Sequence, residues 1–141
     1  MDRSWNLDFT ARPIVVGREL FVGEWRCAGG VKCGPKEVIR YDELGLQSQG
    51  CHRRLIGRER RLVDVTTATL NTVGDEYRMS APEVRPQRVT ALLVRGALAA
   101  ELLPGSARRF VPIAAPAAWL HLRLLRAADA LAAEETALAL L

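Results

Sequence analysis

The sequence predicts a mainly β chain, folded as a barrel or double-layered sandwich and followed by two C-terminal α-helices. Short runs rich in Val, Leu, Ile, Thr and aromatic residues alternate with Gly- and Pro-marked turns up to about Ala97. Beyond Pro116 the apolar period becomes helical. The 141 residues, 49% hydrophobic and 26% charged, are enough for one core and too apolar for disorder.

The first strand is ELFVGEWRC, entered by Gly17 and Arg18. CHRRLIG and RRLVDVTT form a hairpin across Gly57-Arg58-Glu59-Arg60. ATLNTV leads into the Gly74-Asp75 turn and EYRMS leaves it. QRVTALLVRG is a longer strand with Val89, Leu92, Leu93 and Val94 mostly buried. Pro13, Pro35, Pro82 and Pro86 fall between these runs, where a missing N–H does no harm. Residues 1–103 are thus a β domain, 104–115 a connector turned by Pro104-Gly105, and 116–141 the helices.

Pro116 suits a first helical turn, and Asp129 caps a second helix with Glu134 and Glu135 early in it. This gives helices over 116–128 and 130–141, with Leu120, Leu124, Ala127 or Ala128, Leu131 and Leu138 as the apolar stripe. Leu124, Leu131 and Leu138 lie seven apart, the spacing of a helix–helix seam that docks on the β domain or pairs two copies of the chain. The terminal EETALALL breaks off mid-pattern without a stop signal, so the native chain is expected to continue.

The net charge of +4 is nearly all arginine and lies in the first two thirds, densest in HRRLIGRERR. Arg53, Arg54, Arg58, Arg60 and Arg61 read as a solvated hairpin that blunts an edge strand. Neither a recognition helix nor an aromatic platform accompanies the charge, so DNA contact by this segment itself is not expected. No apolar run reaches the ~18 residues of a membrane helix. The Met1-Asp2-Arg3-Ser4-Trp5 start has no signal-peptide core, which makes the cytoplasm the expected location.

The order Leu62-Val63-Asp64, then Gly74-Asp75-Glu76-Tyr77-Arg78, then Ser80-Ala81-Pro82 resembles the effector-binding N-terminal half of AraC-type bacterial transcriptional regulators. VGEWRC upstream and WLHLRLLRAADALAAEETALALL downstream resemble that family's first strand and post-barrel helices. The resemblance implies a cupin-like barrel that senses a small-molecule effector. It also implies DNA binding by helix-turn-helix units C-terminal to Leu141, and pairing or signal relay by the helices. One departure is Ala81, where the family often carries histidine.

A metal cupin needs a His-x-His pair, an acid on the next strand and a histidine after the Gly-Asp turn, because imidazoles and carboxylates are the donors a divalent ion takes. Only His52 and His121 are present, and Tyr77 follows the Gly74-Asp75-Glu76 turn. A metal enzyme is therefore not expected, and no cofactor is assigned. Cys27, Cys33, Cys51 and His52 form an alternative zinc set at unsuitable spacing. Cys27 and Cys51 read instead as small core residues. A Cys27–Cys33 redox switch would be disfavoured in the cytoplasm. Cys51-His52 lacks an orienting third group, Asp75 and Glu76 read as turn caps, and AGGVKCG lacks the Walker spacing, so no catalytic residue is assigned.

What remains is a binding cavity. Trp25, Leu55, Tyr77, Met79 and Leu93 are the expected lining, with Trp25 or Tyr77 stacking an apolar effector and Arg54 or Arg78 pairing with an anionic one. The alternatives to a regulator are a stand-alone cupin-like binding protein and a cysteine-based zinc or redox sensor.

Overall fold

The computed structural model describes residues 5–7, 11–30, 34–102 and 109–141. The expected strand runs form β2 (Leu20–Cys27), β5 (His52–Ile56), β6 (Glu59–Val63), β7 (Thr67–Asn71), β8 (Glu76–Ser80) and β9 (Gln87–Val94). Four further strands join them: β1 (Arg12–Val16), β3 (Glu37–Val38), β4 (Asp42–Gln49) and β10 (Phe110–Pro112). The helices are α1 (Gly96–Leu102), α2 (Ala115–Leu125) and α3 (Ala130–Leu140).

Among the described residues every strand pairing is antiparallel, and the strands make two open sheets rather than a closed ring. One sheet runs β1-β2-β9-β4-β7-β10, the other β3-β8-β5-β6. Pro13 lies inside β1, at the sheet edge, where its missing N–H costs no ladder bond. The stretch expected to be a connector supplies β10, whose Phe110 pairs with Thr69. Pro104-Gly105 lies outside the described residues.

Strand β4 escapes a reading by hydrophobic alternation. Its apolar residues, Leu44 and Leu46, face the helical layer, while Glu43, Gly45 and Gln47 alternate onto a cavity. A strand whose inward face is polar looks like a loop until the cavity is known. Gly45 is required by close approach, since a Cβ there would stand 2.4 Å from Thr69 Oγ1. Gly74 takes φ +90° in its turn, a conformation that favours glycine.

The larger core lies between the outer face of the six-stranded sheet and the helices. Leu20, Val22, Leu44, Leu46, Leu92 and Val94 meet Leu124, Ala133 and Ala137 there. Burial of each such leucine contributes about 2 kcal/mol. Asp129 caps α3 as expected, accepting from Ala132 N at 2.8 Å. The seven-residue seam does not form. Arg126 to Asp129 interrupt the helix, so Leu124 is buried while Leu131 and Leu138 are exposed. On α3 it is the small residues Ala133, Thr136 and Ala137 that are buried.

Candidate functional site

A cavity of about 450 Å³ lies between the two sheets. The six-stranded sheet contributes Trp25 from β2, Glu43 and Gln47 from β4, Thr69 from β7, and Val89, Ala91 and Leu93 from β9. The other sheet contributes His52 and Arg54 from β5, Val63 from β6, and Tyr77 and Met79 from β8. The 36–41 segment completes the wall together with Asn6 and Leu7. Ile39 holds that segment to the Gly74-Asp75 turn, donating to Asp75 O at 2.8 Å and accepting from Gly74 N at 2.9 Å.

Of the residues expected to line the cavity, Trp25, Arg54, Tyr77, Met79 and Leu93 do so. Leu55 and Arg78 do not. They sit opposite one another on β5 and β8, one step out of phase with Arg54 and Tyr77, and so on the other face. Glu43, Gln47 and Thr69 escape the sequence reading because β4 does not look like a strand and composition does not show which face of β7 points inward.

Arg54 is the main departure from the solvated hairpin expected for the arginine cluster. It is 7% exposed, whereas Arg53 and Arg58 are open to solvent. Its guanidinium stacks 4.0 Å over the centre of the Tyr77 ring and Nη1 donates to Thr69 Oγ1 at 3.2 Å. Its Nε has no partner, and among the described residues no carboxylate lies within ion-pairing distance. Tyr77 Oη donates to Glu37. Burial raises the Tyr77 phenol well above its ordinary range and Glu37 adds to this, so it stays neutral.

His52, beside Arg54, is buried with Nδ1 unpartnered. Burial, then the Arg54 charge, depress its pKa to about 4, so the ring is neutral near pH 7. Glu43 keeps some surface open to the cavity but is enclosed by protein, and burial raises its pKa against the opposing effects of Arg54 and of the 2.8 Å hydrogen bond from Asn71. Gln47 Nε2 donates to Gln49 O at 2.8 Å and to Gln87 Oε1 at 3.2 Å, leaving Oε1 without a partner. The interior wall thus presents the Arg54 cation, polar groups from Glu43, Gln47, His52, Thr69 and Tyr77, and apolar surface from Trp25, Met79, Val89 and Leu93, while the exposed Lys36, Glu37 and Arg40 stand in the 36–41 segment.

The described residues do not fit a metal. Among the described residues no three of His, Cys, Asp or Glu gather around one point, and the lone histidine of the cavity stands beside a guanidinium. Cys51, the residue just before β5, is exposed while its neighbour His52 is buried, so the two do not converge. Cys51 is therefore not the core residue expected, and Cys27 is half-buried. Cys33 lies outside the described residues. In the Gly74 turn, Asp75 accepts from Thr72 N at 2.9 Å and pairs with Arg109, tying the turn to the residue before β10.

No family model matches the sequence, and no curated protein matches it. Solved structures do. A cupin-2 domain protein from Shewanella frigidimarina superposes with TM-score 0.50 at 13% identity, over 64% of this chain and 85% of that one. The chain is a cupin by fold. Two other solved structures match at TM-score 0.53. A putative mannose-6-phosphate isomerase from Ralstonia eutropha shares 12% identity over 62% of this chain and 84% of that one. The DMSP lyase DddQ from Ruegeria pomeroyi shares 15% over 73% of this chain and 50% of that one. At such identities the likeness is one of fold, and the cupin cavity here is defined by its own residues.

Proposed function

We propose that this cupin domain is a non-catalytic sensor that binds a small-molecule effector between its sheets, and that it serves as the N-terminal half of an AraC-type transcriptional regulator. The observation that carries the binding reading is the 450 Å³ cavity with Arg54 buried in its wall. Its size is that of sites for small organic molecules, and its mixture of apolar walls with a few polar groups is what such sites use. The regulator reading is supported by the residue order from Asp64 to Pro82 and by the two helices after the β domain.

The layering supports a route for the output. A second cavity of about 380 Å³ lies on the helical side, lined by Leu44, Leu46, Leu70, Ile113 and Leu140. Glu43 borders both cavities. An effector that favours one position of β4 thereby favours one seating of α3, and the bias passes to DNA-binding units C-terminal to Leu141. The exposed Trp119, Leu122, Leu131 and Leu138 are the surface assigned to a second copy of the chain. The domain is assigned to the cytoplasm with the rest of the regulator.

Two experiments test this. Reading the gene past the codon for Leu141 is expected to reveal two helix-turn-helix patterns. Operator binding by the full-length protein is then expected to change when the cupin domain is deleted, and unchanged binding sinks the regulator reading.

A further inference from the structure

We propose that the cavity takes a small organic monoanion, a carboxylate on an apolar body, with Arg54 as its counter-ion. This rests on the small-molecule reading above and adds the chemical class of the ligand.

The argument begins with a missing partner. A guanidinium removed from water is stable only when its charge and its N–H groups are matched. Arg54 has the Tyr77 ring on one face and one hydrogen bond, to Thr69 Oγ1 at 3.2 Å. Its Nε is unpartnered, and no described carboxylate stands within ion-pairing distance. The nearby acid, Glu43, does not fill the role. Its Oε1 takes a hydrogen bond from Asn71, and its enclosure favours the neutral form. In its protonated form Glu43 offers an O–H to an anion that enters beside it.

The number of interior cations sets the charge of the ligand. Lys36 and Arg40 also line the cavity but are solvent-exposed, and Lys36 is already paired with Glu76 at 3.2 Å. One buried guanidinium balances one negative charge, whereas the second charge of a phosphate dianion would find no second buried cation among the described lining residues. The planar N–H fork of arginine matches the two oxygens of a carboxylate. The remainder of the ligand meets Trp25, Met79, Val89 and Leu93, which reward carbon rather than hydroxyl groups.

The test is calorimetric titration of the chain with benzoate, 3-phenylpropanoate and octanoate, each against its primary amide. At least one acid is expected to bind about tenfold or more tightly than its amide. Arg54→Gln is expected to abolish that preference and Arg54→Lys to restore part of it, in variants whose circular dichroism matches the parent. If Arg54→Gln fails to fold, the acid–amide comparison on the parent decides alone. An amide binding as tightly as its acid overturns the carboxylate assignment and leaves the small-molecule reading standing. Absence of binding by every acid and amide overturns both.

Discussion

Thr90 Oγ1 and His121 Nε2 lie 2.8 Å apart, in a buried hydrogen bond joining the six-stranded sheet to α2. Thr90 sits between Val89 and Ala91, both of which line the cavity on the opposite face of β9. The strand that walls the cavity is therefore the strand to which the helical layer is bonded.

Thr90→Val should destabilise the fold by about 1–3 kcal/mol, because it leaves a buried imidazole nitrogen unsatisfied. Adding His121→Leu should recover part of that loss, since an apolar pair leaves nothing unpaired. Urea denaturation of the two single variants and the double variant gives the coupling energy, and strict additivity would dismiss the bond as a stabilising link.

Glu24 is 3% exposed and is held by three arginines: Arg26 at 3.0 Å, Arg88 at 3.2 Å and Arg12 at 3.6 Å. Burial raises its carboxyl, but the hydrogen bonds from Arg26 and Arg88 and the charges of Arg88 and Arg12 outweigh it and hold the pKa below the ordinary 4.5. The anion's contribution is therefore complete above 4.5 and is lost as the pH falls through the lowered folded value. Glu24→Gln should cost roughly 1–3 kcal/mol at pH 7 and less at pH 3. An equal cost at both pH values would show that the charge plays no part.

His52 gives a second acid limb with its own window. Its pKa falls from 6.5 when unfolded to about 4 when folded, so between those values the unfolded chain binds the extra proton. Stability is unaffected above 6.5, declines as the pH is lowered, and has lost roughly 3 kcal/mol by about pH 4. His121, also depressed by burial, works in the same direction. Melting curves of His52→Gln should show a much shallower decline across this window, and an unaltered slope would assign the limb elsewhere.

Glu43 should govern how ligand binding depends on pH. Its pKa is raised by burial, so rising pH converts a neutral donor into an anion inside the cavity, where it repels a carboxylate. Glu37, His52, Arg54, Tyr77, Lys36 and Arg40 also face this space. Of these, His52 is neutral above about pH 4 and Tyr77 is held neutral by its raised pKa, so neither opposes the trend at neutral pH. Carboxylate affinity should therefore fall as the pH rises, and Glu43→Gln should bind with little pH dependence. An identical pH profile for the two proteins would remove Glu43 from the site.

Much of the β framework is visible in the chain because β2 and β9 are apolar over most of their length and their turns carry glycine. The helices are visible through Pro116, Asp129 and the alanine-rich period. Strand β4 is not, because a cavity wall inverts the usual pattern and places Glu43 and Gln47 where core residues are expected. The phase of β5 and β8 is likewise hidden, which is why Leu55 and Arg78 were expected beside Arg54 and Tyr77. A one-residue step decides the face, and local composition does not record that step. Strand β10 is three residues long and exists only through its pairing with β7.

The sequence by itself determined the class of fold, the turn positions, the helix cap at Asp129 and the lack of a His-rich metal set, since these depend on local propensity or residue identity. The tertiary structure alone decided that Arg54 is buried in an arginine-rich hairpin that reads as solvated. It also decided that Leu124 faces the sheet while Leu131 and Leu138 do not, and that Glu43, His52 and Tyr77 share one cavity. Burial and convergence are properties of how sheets stack and where a helix breaks, and both arise from contacts between residues far apart in the chain.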